Sequence, residues 1–363
     1  MKVLVIGRGE SGRAAGELAA SRGDEVEYAD DVGLVVASPG VKVVSELEYG
    51  VRALAKRGVR MLAVTGSKGK SSVVKLVADA LSLDGKKAVP CGNYGLPVSA
   101  VGDCEWAVVE VSSFQLETTN LGSDAFEAAV VLNLQEDHLD RHGGAEAYHA
   151  VKRRLLSMAK ESADFSLASA PREDVSGLAR GSYFDNPVLS GNAMAAVWLM
   201  RRAGLSDAAM RRAFENFSPL PHRMECVGTF GGVRWIDDSK ATSLAALAAG
   251  VEMAGPGTRL IAGGRAKGDA PENFTGGLTK RVKKVYLIGE CAEVFFSAWS
   301  RDVDCEICGT MEKAVGKAAR EAAKGETVLL SPGAASYDQF KDFGERGEVF
   351  AALAKKEGQK NNE

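Results

Sequence analysis

Met61-Leu62-Ala63-Val64-Thr65-Gly66-Ser67-Lys68-Gly69-Lys70-Ser71-Ser72-Val73-Val74 decides how the middle of this chain folds. An apolar run, a glycine-bearing loop and a second apolar run read as a buried strand, a tight turn and a helix that starts at the turn. Such a loop aims backbone N–H groups and a helix N-terminus at one spot, which suits a phosphate. In this reading Gly66, Ser67, Lys68, Gly69, Lys70, Ser71 and Ser72 hold the phosphates of a nucleotide. Lys70 reaches the outer phosphates and Ser71 offers its hydroxyl to Mg2+. The first glycine of the full phosphate-loop spacing is missing, because Val64 stands there.

Outward from this loop, strands and helices alternate along most of the 363 residues, which predicts an α/β protein with parallel sheets. Three domains are expected: a small Rossmann-like N-terminal domain over 1–60, a central P-loop ATPase-like parallel-sheet domain over 61–219, and a Rossmann-like C-terminal α/β domain over 220–363. Pro219-Leu220-Pro221 marks the second boundary. Strands are predicted in the last domain at Thr258–Gly263, 284–288, 303–307 and Thr327–Leu330. The polar tail 355–363 is expected to fray.

The N-terminal block carries Gly7-Arg8-Gly9-Glu10-Ser11-Gly12 between a strand and a helix, with Asp30 and Asp31 after a second strand, Glu25–Ala29. This fits the G-x-G-x-x-G fingerprint. By itself it allows NAD, another nucleotide diphosphate, or a βα turn with no ligand. The block is too short for a full dinucleotide fold, which favours the broader diphosphate reading.

Composition narrows the class. With 45% hydrophobic and 26% charged residues the chain is an ordinary globular protein. A net charge of -3 gives no general attraction to nucleic acid or anionic membrane. No apolar run reaches membrane-spanning length, and Met1-Lys2-Val3-Leu4-Val5-Ile6-Gly7 reads as a first strand, not a secretory signal. Six scattered cysteines are expected to be reduced, as in a cytoplasmic protein. Cys305-Glu306-Ile307-Cys308 has redox-motif spacing but alternates like a strand, so a structural role is expected.

In the middle block, Trp106-Ala107-Val108-Val109-Glu110-Val111-Ser112-Ser113-Phe114-Gln115-Leu116 reads as a strand that delivers a carboxylate and hydroxyls at its end. Glu110 sits in an apolar run and needs a metal or a basic partner. A further strand, 128–132, leads to His138. Glu110 and His138 beside the phosphate loop form a candidate Mg2+ shell, although Mg2+ prefers oxygen ligands. Lys152, in Ala147-Tyr148-His149-Ala150-Val151-Lys152-Arg153-Arg154, reads on its own as a helix-surface cation.

Further segments join these: Gly92-Asn93-Tyr94-Gly95-Leu96-Pro97; Glu110-Val111-Ser112-Ser113-Phe114-Gln115-Leu116-Glu117-Thr118; Glu136-Asp137-His138-Leu139-Asp140-Arg141; Leu220-Pro221-His222-Arg223; Asp238-Ser239-Lys240-Ala241-Thr242; and Leu330-Ser331-Pro332-Gly333-Ala334-Ala335-Ser336-Tyr337-Asp338-Gln339-Phe340-Lys341. In this order, with residues 65–72 and 148–152, they cover most of the chain. It resembles the ATP-dependent Mur ligases of peptidoglycan synthesis. The Ser-Ser-Phe-Gln-Leu-Glu and Ser-x-Asp-Gln-Phe stretches resemble the branch that adds D-glutamate.

The resemblance implies an amide-forming ligase with UDP-N-acetylmuramoyl-L-alanine and D-glutamate as substrates. ATP would phosphorylate the acceptor carboxylate, and the amine would then displace phosphate from the acyl phosphate. It implies that Lys70 and the loop hold ATP, with Arg223, Asp238 and Lys240 from the last domain. Ser71 and Glu110 would serve one Mg2+, and His138 a second. Lys152 would be a carbamate and hence an oxygen ligand, and Asn93 would contact the reacting substrate. Thr242, Lys267, Ser336 and Phe343 match the D-glutamate positions; Gly9, Glu10, Ser11, Asp30 and Gly40 match the UDP positions. The glycine fingerprint then cradles a UDP-sugar diphosphate and not NAD. A monomer that closes about a hinge is expected.

The chain is shorter than such ligases. A crossover helix is missing between Asp31 and the predicted strand Leu34-Val35-Val36-Ala37, and Glu10 is an awkward neighbour for a diphosphate. Residues 160–190 are compressed. Leu189-Ser190-Gly191 runs straight into Asn192-Ala193-Met194, which alters the segment that meets adenine in the family. Two alternatives stay open: a sister ligase with another amino acid or acceptor, and a non-catalytic nucleotide-binding descendant. A dehydrogenase finds no support after Asp30.

Overall fold

The computed structural model describes residues 1–30, 42–135, 139–266, 268 and 270–360. The predicted strand at 34–37 and the site positions Gly40, His138 and Lys267 lie outside the described residues. The chain divides into two compact units, Met1–Phe217 and Ser218–Glu363. The α/β expectation holds in both.

The first unit opens with two parallel strands, β1 (Lys2–Ile6) and β2 (Glu25–Ala29), joined by the helix Glu10–Ser21. The helix can lie against the strands because Gly12 has no side chain. A Cβ there would stand 2.1 Å from the Gly7 carbonyl oxygen.

A five-stranded parallel sheet follows, made of β3 (Arg60–Thr65), β4 (Ala88–Gly92), β5 (Trp106–Glu110), β6 (Phe126–Val131) and β7 (Ala159–Asp164). Its order is β4-β5-β3-β6-β7. The sheet's first strand in chain order, β3, is therefore central, and its later strands add on both sides. All carboxyl ends of the strands share one edge, where open α/β sheets bind ligands. Every residue of β5 is buried, and so are all but the first of β3. The helix Lys70–Leu83 after β3 is buried along Val73, Val74, Leu76, Val77, Ala80 and Leu81 between the sheet and the helices Ser190–Arg202 and Asp207–Asn216. At roughly 1.5–3 kcal/mol per fully buried large apolar side chain, this packing anchors the loop that the helix continues.

Two expectations for this unit need correction. The strand read over 106–116 ends at Glu110. Ser112 and Gln115 form a capping box and start a helix, Ser113–Thr118. Hydroxyl and amide side chains that can bond backbone N–H groups favour a helix start over a continued strand. Strand β7 was not foreseen, because Lys160, Glu161 and Ser162 on this exposed edge give no apolar signal. Residues 165–189 then form turns without helix or strand.

The second unit has a six-stranded sheet of order β12-β11-β10-β13-β9-β8. Its strands are β8 (Glu225–Phe230), β9 (Val233–Asp237), β10 (Thr258–Gly263), β11 (Val282–Ile288), β12 (Cys305–Gly309) and β13 (Thr327–Leu330). All pairs are parallel except the β8–β9 hairpin. That hairpin was missed, although Gly231-Gly232, both at positive φ, is a hairpin turn signal. Of the tail expected to fray, residues 355–360 belong to the helix Phe343–Lys360, and 361–363 lie outside the described residues. All six cysteines are free.

Candidate active site

The phosphate-loop segment lies between the end of β3 and the helix Lys70–Leu83, as its sequence predicts. Gly69 caps that helix with φ +82°, a left-handed conformation that favours glycine. The loop is braced from outside. Asn133, just past β6, accepts from the Lys68 N–H and donates to the Lys68 carbonyl, both at 2.9 Å. Its own carbonyl accepts from Ser67 N–H at 2.8 Å. Ser67 Oγ donates to Gln135 O at 3.1 Å and lies 3.1 Å from Tyr148 Oη. Lys70 Nζ folds back onto the carbonyls of Gly66, at 3.0 Å, and Ser67, at 3.1 Å.

Glu110 closes the neighbouring strand β5 and is only 2% exposed. Asn93, following β4, donates Nδ2–H to Glu110 Oε1 at 2.8 Å. Glu110 Oε2 is buried and has no hydrogen-bond partner among the described residues. A carboxylate oxygen left bare at that depth is costly unless a cation satisfies it. The hard oxygen donor fits Mg2+, and Ser71 belongs to the same loop-helix junction.

Lys152 is not the surface cation that its local sequence suggests. It is 2% exposed, donates from Nζ to the Gly66 carbonyl at 2.9 Å, and has Nζ 4.8 Å from the Tyr148 ring centroid. A lysine is rarely buried without a specific partner. Helical spacing could not reveal this burial, because Lys152 shares a short polar helix, Ala145–Arg153, with Arg153.

Two further residues at the loop were missed. Asn133 carries the signal of an amide at the end of a central strand. Asn192, noted only for the altered adenine segment, lies against the loop: a Cβ on Gly69 would stand 2.2 Å from Asn192 Nδ2. At the glycine fingerprint, Gly9 caps its helix and Glu10 and Ser11 are exposed in its first turn. Arg8 Nε donates to Asp30 Oδ1 at 3.1 Å, so Asp30 faces a cation of the fingerprint itself.

In the second unit, Arg223 sits between His222 (φ 60°) and Met224 (φ 50°), both in the left-handed region. Such backbone is sparsely populated by non-glycine residues and often marks a working turn. His222 Nδ1 is 2.7 Å from Asp237 Oδ2. Asp238 accepts from Ser331 Oγ at 2.8 Å and Met224 N–H at 3.2 Å. Burial pushes its carboxyl up to about 7. Lys240 Nζ stands 3.8 Å from the Phe343 ring centroid. Thr242 follows in the same loop, and its N–H donates to the Lys240 carbonyl at 2.8 Å. Ser336 is buried in the loop after β13, where its carbonyl accepts from Phe340 N–H at 2.9 Å.

Comparison with known proteins bears on the family and the fold. Residues 64–178 match the family model of the Mur ligase middle domain, and residues 222–333 that of the Mur ligase glutamate ligase domain. The chain is similar to the UDP-N-acetylmuramoylalanine--D-glutamate ligase of Frankia casuarinae, at 36% identity over 98% of this chain and 89% of that protein. It is 33% identical to the protein of the same name from Myxococcus xanthus, over 86% of this chain and 79% of the relative. Among solved structures, MurF ligase from Thermotoga maritima in complex with ADP shares the fold. The TM-score is 0.65 at 18% identity, covering 99% of this chain and 95% of the other.

Proposed function

The chain belongs to the Mur ligase family, and from that membership we propose that it joins D-glutamate to UDP-N-acetylmuramoyl-L-alanine. The reaction cleaves ATP to ADP and phosphate in the cytoplasmic synthesis of peptidoglycan precursors. The observation that carries the reading to this chain is the buried Oε2 of Glu110, unpartnered among the described residues, beside the phosphate loop. Most buried side-chain oxygens have a hydrogen-bond partner.

The chemistry follows from the reactants. A carboxylate is a poor electrophile, so its oxygen takes the terminal phosphoryl group of ATP. The resulting acyl phosphate offers a good leaving group, and the D-glutamate amine attacks its carbonyl carbon. The C–O bond then breaks, phosphate leaves, and the amine nitrogen loses its proton. The protein mainly positions reactants and balances charge.

The loop N–H groups of residues 66–72 and Lys70 hold the phosphates in this reading. Lys70 must then exchange the Gly66 and Ser67 carbonyls for phosphate oxygens, a short move for a flexible side chain. Ser71, Glu110, His138 and Lys152, the last as a carbamate, would hold Mg2+ in one or two sites, where the ion neutralises phosphate charge. Asn93 fixes the Glu110 carboxylate and meets the acceptor. The ATP roles of Arg223, Asp238 and Lys240 belong to the same proposal. So do D-glutamate binding by Thr242, Lys267, Ser336 and Phe343, UDP binding by Gly9, Glu10, Ser11, Asp30 and Gly40, a three-domain division and a monomeric state.

The test is phosphate release by purified protein with UDP-N-acetylmuramoyl-L-alanine, ATP, Mg2+ and a panel of amino acids. D-glutamate should be required. Turnover with another amino acid in its place would identify a sister ligase, and no release with any would mark a non-catalytic nucleotide-binding protein.

A further inference from the structure

Arg346 is fully buried in the first turn of the helix Phe343–Lys360. Its guanidinium bonds to backbone and hydroxyl oxygens. Nε donates to Ser239 Oγ at 3.0 Å, Nη2 to Ser239 O at 2.9 Å, and Nη1 to Ala334 O at 3.1 Å. Asp237 and Asp338 act on it only through space, and burial pulls it down to about 10, so it stays charged at neutral pH.

Burying a cation is unfavourable, and an apolar side chain of similar volume would pack the same space at lower cost. What an apolar side chain lacks is a rigid fork of donors. This fork joins segments that carry the proposed amino-acid site. Ser239 lies three residues before Thr242, and Ala334 two residues before Ser336. Ser239 Oγ also donates to the Phe343 carbonyl at 2.8 Å. The loop after β10 belongs to the same assembly. A Cβ on Gly264 would stand 3.2 Å from Arg346 Nη1, and Arg265 and Ala335 exchange both backbone hydrogen bonds at 2.9 Å.

We propose that Arg346 is a positioning residue for the amino-acid substrate: its guanidinium sets the mutual spacing of the segments that bear Thr242, Ser336 and Phe343. The inference rests on the assignment of those residues to D-glutamate. It separates Arg346 from an ordinary core residue, because its loss should weaken binding of one substrate selectively.

Steady-state kinetics of Arg346→Lys and Ser239→Ala, with D-glutamate and ATP varied separately, tests this. Lysine keeps the charge but not the fork; alanine removes the hydroxyl that links Arg346 to Phe343. In Arg346→Lys the KM for D-glutamate should rise about tenfold or more, while the KM for ATP changes less than about twofold. Ser239→Ala should shift in the same direction by less. An unchanged D-glutamate KM in a variant that melts as cooperatively as the parent overturns the proposal, as does an equal rise in both KM values. If Arg346→Lys does not fold, Ser239→Ala decides by the same criteria. A parent protein that releases no phosphate on adding D-glutamate overturns the functional reading itself, and shows it before any substitution is compared.

Discussion

Asn93 Nδ2 donates to Glu110 Oε1 at 2.8 Å, while the other oxygen of the same buried carboxylate has no partner among the described residues. One side chain orients the carboxylate and leaves Oε2 for a cation. Glu110→Gln should therefore lower ligation by about 100-fold, since several kcal/mol of charge stabilisation depends on the ion. Its melting temperature without Mg2+ should match or exceed that of the parent, because a buried charge has been removed. Mg2+ with nucleotide should stabilise the parent more than the variant. Equal Mg2+-dependent stabilisation of both would remove Glu110 from the metal shell.

Lys152 poses a related question at the Gly66 carbonyl. Lys152→Ala removes a buried hydrogen bond and should cost about 1–3 kcal/mol of stability. Ligation should be lost, since the metal shell loses a proposed ligand. A short carboxylic acid such as acetate should partly restore turnover if the side chain works as a carbamate. Full activity of Lys152→Ala without additives would end the carbamate assignment.

Gly69 and Asn192 give a prediction about nucleotide binding. Alanine at Gly69 would be strained at φ +82° and would meet Asn192 Nδ2 at 2.2 Å. The backbone strain alone is worth roughly 1–2 kcal/mol, and the displaced amide adds to it. Gly69→Ala should weaken ATP binding, measured by calorimetry. Asn192→Ala should relieve the clash but not the strain, so the double variant should bind better than additivity allows. Strict additivity would mean that Asn192 does not press on the loop.

What the sequence disclosed follows from how local each signal is. The strand, loop and helix of residues 61–83 are contiguous, and the period of their apolar residues was readable without the fold. The depth of Lys152 was not, because its bonding partner, Gly66, is far away in sequence. Asn133 was passed over for the same reason: an amide after a strand gains meaning only when the adjacent strand proves to be the one that feeds the phosphate loop. Strand β7 shows the converse. Its pairing with β6 decides its conformation, and its polar residues carry no apolar pattern. The β8–β9 hairpin differs, since Gly231-Gly232 is a turn signal local to the sequence.

Asp238 gives a prediction that needs no substrate. Burial raises its pKa from the ordinary 3.8 to about 7, with Asp237 adding to the rise and Ser331, Met224 and Arg223 opposing it. The folded state therefore holds this proton more tightly than the unfolded chain does. The stabilisation from Asp238 is complete below about pH 4 and is lost as the pH rises through about 7. Asp238→Asn can keep both hydrogen bonds, accepting from Met224 N–H and donating to Ser331 Oγ, but it cannot ionise. Its melting temperature should exceed that of the parent by more at pH 8.5 than at pH 5. For a unit of this size each kcal/mol is worth about 2–4 °C, so the difference should be measurable by ligand-free calorimetry. Asp237 is also raised by burial, with the His222 hydrogen bond opposing. It is present in both proteins, so its titration largely cancels in the comparison. If the gap between variant and parent does not widen between pH 5 and 8.5, Asp238 does not gain a charge in that window, and its burial is offset by more than the groups named here.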